Sequence, residues 1–339
     1  MAEGLNNHVP DDVAATALVC TRNRPDDLAR LLRSLTGDVG IEIFVIDQSD
    51  DQRSAAVVDD FASAGNVVYV KSRTRGKGAA MNEGLRLART PIVVCTDDDC
   101  EARPGWVTAM TSALASRPRA AVLFCRVEAP VYDTSRGYVP EYLPTGDRRI
   151  RRPLQSSAHR GLGAGMAVRL CAVLELEGID ESFGPGARFG SGDDWDLEIR
   201  TMMRGWEAFE TDKLAITHHG FRTFAEGRLH TARDWRALGA VAAKPVRAGH
   251  VAMLLMAAYV VVVDAVVPIL RDLLRLRIPH GTTRVTAFCR GFVQGLMTPV
   301  DRTALKYRAV PETTRRRLSV PARGRETDRG TGGFKPLRR

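Results

Sequence analysis

"GKGAAMNEGLRLARTPIVVCTDDDCEARPGW", residues 76–106, passes from a helical pattern through a short apolar run into three consecutive carboxylates. Residues 78–88 read as a helix. "PIVVCT" (residues 91–96) is β-branched and almost continuously apolar, as a strand covered on both faces must be. Another helix follows from Trp106 to Ala115. Asp97, Asp98 and Asp99 therefore fall at the carboxyl end of a strand, where open α/β sheets bind their ligands. Adjacent carboxylates repel unless solvent or a cation neutralises them. Their hard oxygen ligands suit Mg²⁺ or Mn²⁺, ions that commonly share themselves with substrate phosphates. The alternative is a solvated turn in which Asp99 caps the next turn.

The same alternation extends outward. "TALVCT" (16–21), "IEIFVID" (41–47), "NVVYV" (66–70) and "AAVLFCRV" (120–127) are further strand candidates. Leu28, Leu31, Leu32 and Leu35 repeat at helical spacing behind Pro25 and Asp26, a good helix start. Strands separated by single helices predict an α/β fold with a mostly parallel central sheet. Asp47 also ends a strand. Residues 129–160 are polar, proline-containing and irregular, and no internal repeat is present. Further on, Trp195, Ile199, Met202, Met203 and Trp206 share one helical face.

A chain of 339 residues with 44% apolar and 26% charged residues can bury a sizeable core. The formal charge of +9 is uneven. Residues 301–339 hold 12 Lys/Arg against 4 Asp/Glu, a surplus of 8, which leaves +1 on the first 300 residues. That distribution argues against a nucleic-acid groove on the body and for a basic arm drawn to anionic surfaces. The six cysteines are scattered without metal-finger spacing, and most sit in apolar runs as small core residues, which fits a reducing compartment. The opening residues show neither a secretory nor a transit pattern, so a cytoplasmic protein is expected.

"CTRNRPDDLARLLRSL", "VIDQSD", the residue 76–106 stretch, "GIDESFGPGARFGSGDDWDLEIRTMMRGW" and "ITHHG" follow one another as in family 2 glycosyltransferases. Over roughly residues 16–225 the chain resembles that family, whose nucleotide-binding domain has the GT-A fold. The resemblance implies an inverting, metal-dependent transfer of sugar from a UDP-, dTDP- or GDP-linked donor to a saccharide or lipid-linked acceptor. It implies that Thr21 and Arg22 lie against the nucleotide and that Asp47 accepts a hydrogen bond from the base. Gly76, Lys77 and Asn82 would line the nucleotide segment, with Lys77 available to a phosphate. Asp97 and Asp99 match the acidic positions of the DxD motif, and Asp98 between them would join the nucleotide and donor contacts. Asp99 would be the direct Mn²⁺ or Mg²⁺ ligand, and Asp97 would face the metal, the ribose or the donor sugar. Gln48 departs from the commoner Asp-Asn sequence.

Asp193 and Asp194 match the acidic pair preceding a helix, and Asp194 is the expected general base. A neighbouring carboxylate tends to raise a pKa, which suits a base working near neutral pH. The competing reading is helix capping, because Ser191 and Asp194 have capping-box spacing. Gly163 and Gly165 fall in the expected donor-sugar and acceptor pocket, and many relatives carry Asn where Gly165 or Met166 stands. Trp195 is a candidate wall for the acceptor sugar or a core residue. One of His218 and His219 is expected to complete the metal site, with His218 favoured, because successive strand residues point oppositely.

"HVAMLLMAAYVVVVDAVVPIL" (250–270) approaches the length of a bilayer span but is interrupted by Asp264 and Pro268. It reads as a buried helix, a surface-lying membrane segment or a span. The expected organisation is a disordered terminus (1–15), a GT-A domain (16–235), a helical and possibly membrane-associated region (236–300) and a flexible basic tail (301–339). The enzyme would build a cell-surface polysaccharide or glycolipid on the inner face of the plasma membrane. A sugar-1-phosphate nucleotidyltransferase and a non-catalytic, membrane-docked nucleotide-binding scaffold are the alternatives. "CTRNRPDD" lacks the glycine-rich phosphate loop that the first would want.

Overall fold

The computed structural model describes residues 15–158, 160–276 and 281–308. Residues 1–14 and 309–339, and the expectations placed on them, lie outside that range. The chain begins with β1 (Ala15–Thr21), α1 (Pro25–Leu35), β2 (Ile41–Asp47), α2 (Arg53–Asp59), β3 (Val67–Lys71), α3 (Lys77–Leu87) and β4 (Ile92–Asp97). The four α1 leucines expected inside are buried. Next come β5 (Cys100–Ala102), α4 (Trp106–Ala115), β6 (Ala120–Glu128), β7 (Gly137–Tyr138), β8 (Arg148–Ile150) and the short α5 (Pro153–Ser156). β9 (Met166–Arg169), α6 (Leu170–Glu175), α7 (Asp193–Met203) and β10 (Glu207–His218) complete the sheet layer.

The main sheet runs β3-β2-β1-β4-β9-β6-β10-β5, with β8 also paired to β10. β1 to β4 are mutually parallel, as are β6 and β10, whereas β9 enters antiparallel between β4 and β6. Because β9 reverses direction twice over, β4 and β6 point the same way. The carboxyl ends of β1, β2 and β4 consequently share one rim. α1 and α4 cover one face, and α3, α6 and α7 the other.

After β11 (Arg222–Thr223) come the C-terminal elements. These are α8 (Phe224–Arg247), α9 (Leu254–Val261), a π-helical turn at 262–266, α10 (Val267–Leu274), α11 (Thr282–Met297), β12 (Val300–Asp301) and β13 (Lys306–Tyr307). A third core packs α7 against α8, α9, α11 and Tyr307 among them. α8 passes through positions 235 and 236, where the domain boundary was expected. Residues 301–308, assigned by sequence to the flexible tail, instead form the β12–β13 hairpin, with Tyr307 buried. Tyr307 packs on Phe183 and Phe189, and buried polar contacts add to that anchor. Asp180 accepts from Lys244 Nζ at 2.8 Å and from the Tyr307 N–H at 2.8 Å, while Arg200 donates to the Ala304 carbonyl at 3.0 Å. Lys244 also pairs with Asp196, and Asp180, Asp196, Arg200 and Lys244 are all buried. Lys244→Ala would strand Asp180 and Asp196 in that interior. We expect a loss of about 3–5 kcal/mol of stability, read as a lower urea midpoint.

Candidate functional site

The rim formed by β1, β2 and β4 opens into a cleft of about 340 Å³, lined by Thr21, Arg24, Gln48, Lys77, Asp97, Asp98, Asp99, His218 and Arg222, among others. The β4 strand ends at Asp97, and β5 turns back to pair with the end of β10, placing Cys100 opposite His218. That pairing brings the carboxylate triplet against a histidine more than a hundred residues away.

Asp97, Asp99 and His218 each offer one ligand atom within 4.8 Å of the others. Three further observations test whether a cation fits them. Asp99 Oδ1 is buried and faces His218 Nε2 at 3.3 Å, with no other polar side chain engaging it among the described residues. His218 Nδ1 lies 3.2 Å from the Pro140 carbonyl, which can only accept, so Nδ1 carries the hydrogen and Nε2 faces Asp99. A Cβ at Gly220 would sit 2.5 Å from His218 Nε2 and 3.1 Å from Asp99 Oδ2, so glycine leaves that cradle open. The donor set of two carboxylates and an imidazole suits Mn²⁺ or Mg²⁺ completed by phosphate oxygens.

Resident cations currently neutralise the triplet. Arg24 donates to Asp98 Oδ1 and Asp99 Oδ2, each at 3.1 Å, and Lys77 pairs with Asp97. Burial pushes Asp98 up to about 6 against the pull of Arg24. Burial acts upward on Asp99 too, yet His218 and Arg24 hold it at about 2. Burial likewise opposes charge on His218, but Asp99 and Asp97 raise it above the usual imidazole range.

The opposite wall is built from the glycine-rich segment before α7. Gly186 has φ +81°, and a Cβ there would approach Gly76 Cα to 3.1 Å. The Lys77 N–H donates to the Pro185 carbonyl at 2.9 Å, so this loop seats directly on the start of α3. Gly192, in the left-handed region, occupies the N-cap of α7, and no side-chain cap is formed. The Ser191–Asp194 capping box expected as an alternative is therefore not present. Asp194 Oδ2 instead accepts from the Gly163 N–H at 3.0 Å, and its Oδ1 accepts from the Trp195 N–H at 2.7 Å. Burial, reinforced by Asp193, raises Asp194 to about 7. Burial also raises Asp193, with Lys77 opposing.

Residues 16–175 match the family model described as "Glycosyl transferase family 2". They form a family 2 glycosyltransferase domain. Over 234 residues, 67% of this chain, the sequence is 27% identical to the pre-mycofactocin glycosyltransferase of Mycobacterium tuberculosis. The chain spans about half the length of that curated relative, 45% of it. Among solved structures, the Pyrobaculum calidifontis mannosyltransferase PcManGT, in complex with GDP-Man and Mn²⁺, superposes with a TM-score of 0.55. The match covers 84% of this chain and 87% of that one at 16% identity. S. aureus TarS 1–349 gives a TM-score of 0.50, also at 16% identity, over 67% of this chain and 64% of that one. These likenesses establish the GT-A fold.

Thr21, Arg22, Gly76, Lys77, Asp97, Asp98 and Asp99 from the matched residues line one cleft together with His218, which lies beyond them. Gly163 and Asp194 approach Lys77 from the α7 side, since a Cβ at Gly163 would lie 3.5 Å from Lys77 Nζ. Other expected residues sit elsewhere. Asp47 is fully buried beside the cleft, accepting from Tyr69 at 2.7 Å, Lys71 at 3.1 Å and the Ser49 N–H at 2.8 Å. Its neighbour Gln48 faces the cleft instead. Asn82 ties α3 to the loop before α7, donating to the Ile179 carbonyl at 3.0 Å and accepting from the Ile179 N–H at 2.7 Å. Gly165 packs against Cys125 and Val127, and Trp195 is core, its indole N–H donating to Ser156 Oγ at 2.8 Å. His219 turns outward to Glu101 at 3.0 Å. The sequence reading passed over Arg24, Arg222 and Pro185. Arg24 sits one position before α1, a signal that could have placed it at the same rim as Thr21.

Proposed function

We propose that this chain is an inverting, metal-dependent transferase moving a sugar from a nucleotide-linked donor to a hydroxyl acceptor. One juxtaposition supports the reading above all others. A dication-shaped Asp97–Asp99–His218 group stands on one wall, and a carboxylate with a pKa near neutrality, Asp194, stands on the other side of Lys77. PcManGT holds GDP-Man with Mn²⁺ and TarS holds UDP-GlcNAc on the same fold, which favours a nucleotide-sugar here as well.

In this reading Thr21 and Gln48 contact the nucleoside, and Lys77, Arg22 and Arg222 face the diphosphate. Asp97, Asp99 and His218 would hold Mn²⁺ or Mg²⁺, which as a Lewis acid stabilises negative charge on the departing diphosphate. Asp194 takes the acceptor hydroxyl proton while that oxygen attacks the anomeric carbon and the bond to phosphate breaks. The Gly163 N–H keeps Asp194 aimed. A single displacement inverts the anomeric centre. The proposed setting is assembly of a cell-surface polysaccharide or glycolipid at the cytoplasmic face of the membrane.

Calorimetric titration with UDP, dTDP, GDP and NAD, each with and without Mn²⁺, followed by a donor-hydrolysis screen, tests this. We expect one nucleoside diphosphate to bind about tenfold or more tightly with Mn²⁺, and its sugar conjugate to be slowly hydrolysed. Binding of NAD alone, or of nucleotide with no hydrolysis of any nucleotide-sugar, would defeat the proposal.

A further inference from the structure

Residues 251–274 form a helix of 24 residues, long and apolar enough to cross a membrane, and only 22% of its most apolar window is buried. Its inner side packs Met256, Ala257, Val260 and Ala265 into the third core. The outer side carries Leu255 at 71% exposure, Leu274 at 86%, and Val262 and Leu270 each near half exposed. Among the described residues nothing covers this apolar strip, and one of this length marks an interaction surface.

What occupies it is indicated by charge. Arg247 lies at the end of α8 just before the strip, and Arg271 and Arg275 lie at its far end, all exposed. Beside its middle, Tyr259 walls a recess of about 490 Å³ whose other lining includes Arg148, Arg149, Arg152, Leu154 and Gln155. Arg149 pairs with Glu207 at 2.7 Å, but Arg152 is exposed and has no ion pair among the described residues. An arginine-lined recess against an apolar helix matches a phosphate headgroup joined to acyl chains, and no water-soluble anion needs the apolar half.

We propose that this face docks on an anionic phospholipid bilayer, with the helix lying along the surface and a lipid phosphate seated in the recess. The helix lies on the membrane and does not span it, because Asp264 in its centre is held by Arg160 of the sheet domain at 2.7 Å, and the π-helical turn interrupts it there. Spanning would break that pair and strip the inner side from the core. The placement also serves the site. α5, which walls the recess, presents Ser156 to Trp195, the residue after Asp194. A bilayer held here brings a lipid-linked acceptor to the side of the cleft where Asp194 stands.

This inference rests on the membrane setting proposed above but not on the transfer chemistry, and flotation of the full chain with vesicles tests it alone. Vesicles of DOPC:DOPG 7:3 should capture the protein, and pure DOPC vesicles about tenfold less. Leu255→Asp combined with Leu274→Asp should lower capture at least about tenfold, and Arg152→Glu about fivefold or more. Both variants should keep the wild-type circular dichroism and the wild-type donor hydrolysis in solution. Equal capture by neutral vesicles, or capture unchanged by both variants, overturns the proposal. So does a vesicle-free dimer abolished by the leucine changes, which would give the face to a second copy, and so does resistance to alkaline carbonate extraction, which would make the helix a span. Vesicle capture without hydrolysis of any donor would leave this inference standing and remove the transferase reading.

Discussion

Asp194→Asn lowers donor turnover by about 10²–10⁴-fold, the usual worth of a positioned general base, while nucleotide binding with Mn²⁺ stays within about twofold. The separation is expected because Asp194 contacts Gly163 and Trp195 rather than the carboxylate triplet. The pH profile carries the same information. A base must be ionised, so with Asp194 at about 7 the wild-type kcat/KM should fall about tenfold per unit below that pH. The Asn variant should lose that limb. Stability moves the other way. The folded pKa is raised above the ordinary carboxylate value, so the fold prefers the protonated form, and the contribution to stability is lost as pH rises through about 7. That loss begins at about pH 4, where the unfolded carboxyl ionises, and is complete a little above pH 7, so the variant's melting temperature relative to the wild type should climb across that range and level off above it, by about 2 °C for each kcal/mol relieved. A variant melting lower at pH 8 would contradict the strained carboxylate.

Asp99→Asn should be more severe for binding. It removes one charge from the Asp97–Asp99–His218 group and alters the carboxylate that faces His218. Mn²⁺-enhanced nucleotide uptake should vanish, and turnover should fall by about 10³-fold or more, since a lost Lewis acid removes several kcal/mol of charge stabilisation. Asp98→Asn is the informative contrast. Asp98 has its oxygens engaged by Thr21 at 2.8 Å and by Arg24, so its loss should loosen the rim without abolishing the Mn²⁺ effect. Calorimetry with Mn²⁺ and the preferred nucleoside diphosphate distinguishes the two. If Asp99→Asn binds nucleotide as the wild type does with Mn²⁺, the metal assignment is wrong.

The strand-ending carboxylates were legible because a parallel strand buried on both faces must be apolar, so a run such as "VVCTDDD" announces where the sheet stops. α1 was legible through four leucines at helical spacing. The pairing of His218 with Asp99 was half legible: strand alternation said that one histidine would face the site, but β5 turning onto β10 decided which. Asp47 illustrates the opposite case. Its position at a strand end invited a nucleotide role, whereas Tyr69 and Lys71 from β3, the neighbouring strand, saturate it. Asn82 and Trp195 were likewise absorbed by partners from elsewhere in the chain.

Taken alone, the order of residues determined the α/β alternation, the placement of Asp97–Asp99 at the carboxyl-end rim of the sheet, the family and the apolar strip near the C-terminus. These follow from local periodicity and from which faces of an element must leave water. Only the tertiary structure decided that Gln48 rather than Asp47 reaches the cleft, that Asp194 is held by Gly163 instead of capping its helix, and that residues 301–308 clasp the core through Asp180 and Arg200. Each of those outcomes depends on a hydrogen-bond partner more than ten residues away, and a polar group's role is set by the partner that satisfies it, which periodicity does not encode.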